Sequence, residues 1–159
     1  MQESNPTPVE EVEEIGDNGN NGHTKTEPIQ GQENLSSVMI VDDDPDTLFT
    51  IDEIVQACGC STYLAKNGIE CLKLLEEATP DLVLLDIMMP KIDGFQTIKL
   101  IRENEKWQDL PVYAVTAKAM SADREIILKQ GFNDLVPKPV NAQSLSFKIK
   151  QLISQPKAS

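Results

Sequence analysis

The chain has 159 residues, 40% of them hydrophobic and 25% charged, and a formal net charge of −12. That length suits one domain of about 100 to 150 residues with some sequence to spare, and no apolar run approaches the roughly 20 residues of a membrane span, so membrane insertion is not expected. The acidic balance argues against nonspecific nucleic-acid binding, which relies on Lys and Arg to neutralise phosphates, and favours protein partners.

In chain order, residues 1–20 have neither the basic start nor the apolar centre of a secretion signal, so a cytoplasmic location is expected. Residues 1–34 hold eight acids (Glu3, Glu10, Glu11, Glu13, Glu14, Asp17, Glu27 and Glu33) against the single base Lys25. Apart from Val9, Val12, Ile15 and Ile29 they offer almost no apolar side chain, too little burial to offset the entropy of ordering. A disordered acidic tail is expected there. It reads either as a solubilising leader or as a docking segment centred on Val9-Glu10-Glu11-Val12-Glu13-Glu14-Ile15.

From Leu35 onward, short apolar runs alternate with segments of helical spacing, the pattern of repeated strand–helix units and a parallel sheet. The runs are Val38-Met39-Ile40-Val41, Ser61-Thr62-Tyr63-Leu64-Ala65, Leu82-Val83-Leu84-Leu85, Val112-Tyr113-Ala114-Val115 and the short Leu135-Val136. All but the second are continuously apolar, as buried parallel strands require, whereas the mixed second run suits an edge. Asp44-Pro45 sets a capping residue and a first-turn proline before a helix carrying Leu48, Ile51, Ile54, Val55 and Cys58, which ends near Gly59. Later helices carry Cys71, Leu72, Leu74 and Leu75; then Phe95, Ile98 and Ile101; then Ile126, Ile127 and Leu128, stopped by Gly131. The fifth starts at Asn141 with Leu145, Ile149, Leu152 and Ile153. These units fit an α/β fold with a five-stranded parallel sheet of order 2-1-3-4-5 and helices on both faces, flavodoxin-like and doubly wound. The domain is expected over residues 35–155, with a frayed C-terminus at 156–159.

Cys58, Cys60 and Cys71 are an odd number without an export signal, so reduced thiols are expected rather than a disulfide framework. Cys58-Gly59-Cys60 could supply half a metal site, but a structural zinc wants four ligands, and the only histidine, His23, lies in the acidic tail.

The first and third strands end in acids: Asp42, Asp43 and Asp44 after one, Asp86 after the other. In a 2-1-3-4-5 sheet these strand ends flank the switch point where ligands bind, so Asp42, Asp43 and Asp86 converge on one crevice. Like charges about 4 Å apart repel by several kcal/mol near a protein surface, and hard carboxylate oxygens suit Mg²⁺ or a similar divalent ion. Taken alone, the three successive acids also read as a solvated turn with Asp44 as the helix cap. Thr116 and Ala117 close the fourth strand with a hydroxyl and a free amide, and Lys138 follows the fifth with an ammonium. Hydroxyl, amide, ammonium and metal around one carboxylate match the needs of a phosphoryl group's three oxygens.

With Val38-Met39-Ile40-Val41-Asp42-Asp43-Asp44, Leu84-Leu85-Asp86-Ile87-Met88-Met89-Pro90-Lys91-Ile92-Asp93-Gly94, Val115-Thr116-Ala117 and Lys138-Pro139 in order, residues 37–153 resemble the receiver domain of response regulators of two-component signal transduction. The resemblance implies that Asp86 is phosphorylated by a histidine kinase or histidine phosphotransfer protein. It implies that Asp43, Asp86 and the Met88 carbonyl bind Mg²⁺, that Asp42 reaches the ion through water, and that Thr116, Ala117 and Lys138 serve the phosphoryl group. It also implies a cis bond at Lys138-Pro139. Two departures stand out: Leu135 occupies the place of a frequent aromatic residue three positions before the lysine, and Pro137 removes a backbone donor beside it.

A phosphatase with an aspartyl-phosphate intermediate needs a second Asp two residues after the nucleophile, where this chain has Met88. A flavodoxin needs hydroxyls and amides around a flavin phosphate, where the acids after the first strand would repel it. A pseudo-receiver that only binds proteins remains the alternative. Only 21 residues follow Lys138, so output through protein contacts is expected, from a stand-alone receiver that turns over no separate metabolite.

Overall fold

The structure is a computed structural model that describes residues 36–154. The acidic segment 1–34 and the terminal residues 156–159 lie outside the described residues. Five strands, β1 (Ser37–Val41), β2 (Ser61–Ala65), β3 (Leu82–Asp86), β4 (Val112–Thr116) and β5 (Asp134–Pro137), alternate with five helices. These are α1 (Pro45–Ala57), α2 (Gly68–Glu77), α3 (Gly94–Glu103), α4 (Ser121–Lys129) and α5 (Ala142–Ile153). The strands form one sheet of order β2-β1-β3-β4-β5 in which every pairing is parallel. The expected fold and strand order are thus observed, with the mixed run Ser61–Ala65 on one edge and the short β5 on the other.

Side chains alternate across a strand, so each apolar run feeds two cores. Met39, Val41, Val83 and Leu85 point toward α2, α3 and α4, where they meet Cys71, Leu75, Ile98, Ile101 and Ile127. Val38, Ile40, Leu82 and Leu84 point the other way, onto Leu48, Ile51 and Val55 of α1 and Leu145 and Ile149 of α5. In α4 only Ile127 of the expected trio is buried, and Ile126 is 55% exposed.

Four helix starts are set by side chains that accept amides the helix itself leaves unpaired. Asp44 accepts from the Thr47 N–H and hydroxyl, Asn67 from Glu70, and Asn141 from Ser144. Asp93 and Gln96 form a reciprocal capping box at α3. One short element was not expected from the sequence, a 3-10 turn at Glu105–Trp107 that buries Trp107 against the α2–α4 core.

Candidate functional site

Parallel pairing brings the carboxyl ends of all five strands to one side of the sheet, where the acids collect. Asp42 follows β1 and Asp86 ends β3; both are buried, at 1% and 3% exposure, while Asp43 is exposed. Carboxylate oxygens from Asp42, Asp43 and Asp86 lie within 4.8 Å of one another. Asp44 turns away from this group to cap α1, as expected, and lends its amide to Asp42 Oδ1 at 2.9 Å.

Lys138 reaches across from the end of β5. Its Nζ stands 3.2 Å from Asp86 Oδ1 and 3.1 Å from Asp42 Oδ2, so one ammonium faces two buried carboxylates. The backbone holds it there, because the Lys138 N–H donates to the Thr116 carbonyl at 2.8 Å and the following bond to Pro139 is cis. Asp42 Oδ2 is left with this ammonium as its charge partner and no further donor.

Burial and the Asp42 charge push the Asp86 carboxyl up to about 6, against the opposing pull of Lys138 and the Met88 amide. Burial lowers the Lys138 ammonium, but its contacts with Asp42 and Asp86 outweigh that and leave it above its ordinary value. The arrangement is short of positive charge: two buried acids and one nearby exposed acid share a single cation.

Thr116, at 3% exposure, ends β4 beside Asp86, whose register partner on that strand is Val115. Its Oγ1 accepts from the Lys118 N–H at 3.0 Å, which leaves the hydroxyl proton free to donate. Ala117 follows on the exposed rim, and Met88 is 70% exposed on the other side, with its N–H 3.4 Å from Asp86 Oδ1. Gly94 fits under the β3–α3 loop because a Cβ there would come within 2.6 Å of Ile87 Cα and 2.7 Å of the Asp86 carbonyl. A cavity of about 240 Å³ adjoins Lys138, between Thr47, Thr50 and Ile51 of α1 and the Pro139-Val140 segment.

Asp42, Asp43, Asp86, Met88, Thr116, Ala117 and Lys138 therefore all lie at the carboxyl end of the sheet. The ion pair between Lys138 and Asp42 was not expected. Nothing in the sequence signals it, because it depends on β5 lying two strands from β3 and three from β1.

Residues 38–150 match the family described as the response regulator receiver domain. The chain belongs to that family. Over 114 residues the receiver is 40% identical to an uncharacterised 14.6 kDa protein of Leptolyngbya boryana, covering 72% of this chain and 87% of that one. It is 34% identical over 117 residues to the polar-differentiation response regulator DivK of Brucella anthropi, covering 74% and 95% of the two chains. Among solved structures it resembles the receiver domain of a sensor histidine kinase from Pseudomonas aeruginosa with a magnesium ion coordinated in its active-site cleft. That match has a TM-score of 0.70 and 28% identity, over 76% of this chain and 99% of the other. The receiver is thus a two-component signalling domain of flavodoxin-like fold. Among the described residues no helix is long and apolar enough to cross a membrane.

Proposed function

We propose that this receiver takes a phosphoryl group from the phosphohistidine of a histidine kinase or histidine phosphotransfer protein onto Asp86, in a Mg²⁺-dependent reaction, and signals through protein contacts. The observation that carries this reading is the placement of Asp86: a buried strand-end carboxylate with Lys138 Nζ at 3.2 Å, two further acids within 4.8 Å, and Thr116 on the adjoining strand. Phosphoryl transfer passes through a loose transition state that needs positioning and charge neutralisation more than a strong nucleophile. Asp86 supplies the attacking oxygen. Its new bond to phosphorus forms as the bond from phosphorus to the imidazole nitrogen breaks, and the electron pair leaves with the imidazole.

The donor set fits a hard divalent cation. It is all oxygen, negatively charged, and includes the buried Asp42 Oδ2, which has the Lys138 ammonium as its charge partner and no further donor. Asp43, Asp86 and the Met88 carbonyl would hold Mg²⁺, with Asp42 acting through water, and the ion when bound neutralises charge on the phosphoryl oxygens. Lys138 is the second cation of the site, and the Thr116 hydroxyl and the Ala117 amide are its neutral donors. The cavity beside Lys138 leaves room for a donor side chain between α1 and the Pro139-Val140 segment.

The chain on this reading modifies and demodifies only itself. We further take residues 35–155 as the receiver unit, with 1–34 as an acidic tail and 156–159 as a frayed end. A cytoplasmic site of action accords with the free thiols Cys58, Cys60 and Cys71. Incubation with Mg²⁺ and acetyl phosphate, followed by intact mass, tests the proposal. One added phosphoryl group that is labile at alkaline pH, and absent from a folded Asp86→Asn variant, is expected. A native chain that stays unlabelled while binding Mg²⁺ would favour a pseudo-receiver that only binds partners.

A further inference from the structure

Cys58 and Cys60 stand at the opposite end of α1 from the acidic cluster, where the helix gives way to β2. Cys58 follows Leu48, Ile51 and Val55 at helical intervals, so it shares their inward face. It is half-buried and packs against the core between the sheet, α1 and α5, while Cys60 is a buried member of that same core. Cys71 is buried in the core on the other face of the sheet, so the sheet separates it from the pair.

The backbone brings the pair within bonding reach. Two residue steps span at most about 7 Å when fully extended, and the chain here is folded back on the helix. The amides of Cys58 and Cys60 both donate to the Val55 carbonyl, at 3.0 and 3.4 Å, and that of Gly59 donates to the Gln56 carbonyl at 2.9 Å. Gly59 makes this turn at φ 86°, the left-handed region that glycine enters without strain. The turn shortens the span toward the roughly 4.4 to 6.8 Å between Cα atoms that a disulfide needs.

The two thiols differ in access. Burial first, then the neighbouring Cys58 and Asp81, push the Cys60 thiol up to about 11, so an oxidant from solvent meets little thiolate and little exposed sulfur there. Cys58 is the sulfur that solvent reaches. A thiol of raised pKa is the stronger nucleophile once it ionises, and Cys60 has its target two residues away. Thr62, the register partner of Val38, faces the same layer. Its hydroxyl is fully buried and finds no hydrogen-bond partner among the described residues, which leaves a donor near any charge that forms on Cys60.

We infer that Cys58 and Cys60 form a reversible disulfide by exchange with a small-molecule disulfide. The Cys58 thiolate attacks one sulfur of that molecule, whose S–S bond breaks, and one thiolate leaves; Cys58 then carries a mixed disulfide. The Cys60 thiolate attacks Cys58 Sγ and expels the second thiolate. The two cysteines together give up two protons and two electrons, and the small disulfide is reduced to two thiols. In a reducing compartment such bonds are transient and redox-sensing. This one ties the last turn of α1 to the entry of β2, on the helix whose first half lines the cavity beside Lys138.

The test needs neither metal nor phosphodonor. The folded native chain is incubated with oxidised glutathione at about pH 8, near the ordinary thiol value, then alkylated and digested with trypsin. Cys58 and Cys60 lie together in peptide 26–66, and Cys71 lies in peptide 67–73. The expected product is an unalkylated peptide 26–66, lighter by two hydrogens and restored by dithiothreitol, beside an alkylated peptide 67–73. In a Cys60→Ala variant the glutathione adduct on Cys58 is expected to accumulate, because no second thiol displaces it. In Cys58→Ala, uptake at Cys60 is expected to be on the order of tenfold slower than native oxidation. Circular dichroism checks that both variants fold, and the native chain decides the matter by itself if either does not. A lasting glutathione adduct on native Cys58 overturns the inference, as do two alkylated cysteines in peptide 26–66 or a bond to Cys71 or to a second chain.

Discussion

Asp86 is held with its charge opposed by its surroundings, and this has a consequence for stability. Its carboxyl is pushed up to about 6 by burial and by Asp42, whereas an unfolded aspartate titrates near 3.9. Between about pH 4 and pH 6 the folded chain therefore binds a proton that the unfolded chain has released, and stability falls as pH rises through that window. Above pH 6 the deficit stays, at about 2 to 3 kcal/mol if the whole shift is expressed. In EDTA, Asp86→Asn is accordingly expected to melt above the native chain at pH 7.5, with the gap shrinking toward pH 4. Equal midpoints at pH 7.5 would show that Lys138 neutralises the cluster without help. A second residue-scale outcome concerns phosphoaspartate lifetime under the proposed function. Met88 is 70% exposed and apolar and offers no group to orient an attacking water, and Lys118, exposed two places after Thr116, would sit over the phosphoryl oxygens and block in-line approach. A Met88→Asn, Lys118→Glu variant is expected to release phosphate faster in Mg²⁺ without kinase; slower release would mean that these side chains do not shield the site.

Arg102, near the C-terminal end of α3, joins elements whose mutual packing no single helix or strand secures. Its guanidinium donates to the carbonyls of Gly131, Trp107, Gln108 and Leu110 and to Asn133 Oδ1, all between 2.8 and 3.1 Å. Asn133 Oδ1 also accepts from the Val112 amide at the start of β4. One planar fork thus ties α3, the Glu105–Trp107 turn, the entry to β4 and the approach to β5. Arg102→Ala leaves several partly buried carbonyls without donors and is expected to cost about 2 to 4 kcal/mol in urea unfolding. Arg102→Lys should recover only part of this, since an ammonium cannot reproduce the fork. Full recovery by Lys would show that charge, rather than directed hydrogen bonding, holds these loops.

Across the whole molecule, the crowding of acids at the carboxyl ends of β1 and β3 would, with the proposed Mg²⁺ bound, couple folding to cation binding. A ligand that binds only the folded state stabilises it by about 2.7 kcal/mol at a hundred times its dissociation constant. Mg²⁺ is therefore expected to raise the melting midpoint beyond what NaCl of equal ionic strength does. Asp43→Ala should abolish that rise while leaving the metal-free midpoint close to native. Asp44→Ala should behave in the opposite way, lowering the metal-free midpoint through loss of the α1 cap and keeping the response to Mg²⁺. Equal responses in the two variants would reverse the assignment of Asp43 as ligand and Asp44 as cap.

How much of this was legible in the sequence depends on the range of the interactions involved. Strands β1, β3 and β4 are continuous apolar runs and α1 opens on Asp44-Pro45, so local patterning and capping chemistry determined those elements before any packing was known. Strand order and the meeting of Asp42, Asp43 and Asp86 followed from topology rules for parallel sheets, because such rules constrain where carboxyl ends can lie. Local pattern located α4 but not its buried face: Ile126, Ile127 and Leu128 are all apolar, and helical rotation turns only Ile127 fully toward the sheet. It also passed over Glu105–Trp107 and Arg102, whose partners lie on two separate connections, α3 to β4 and α4 to β5. The double contact of Lys138 with Asp42 and Asp86 was likewise decided only by the tertiary structure. An ammonium is drawn to whichever carboxylates burial has left short of positive charge, and that depends on the distances the folded sheet imposes.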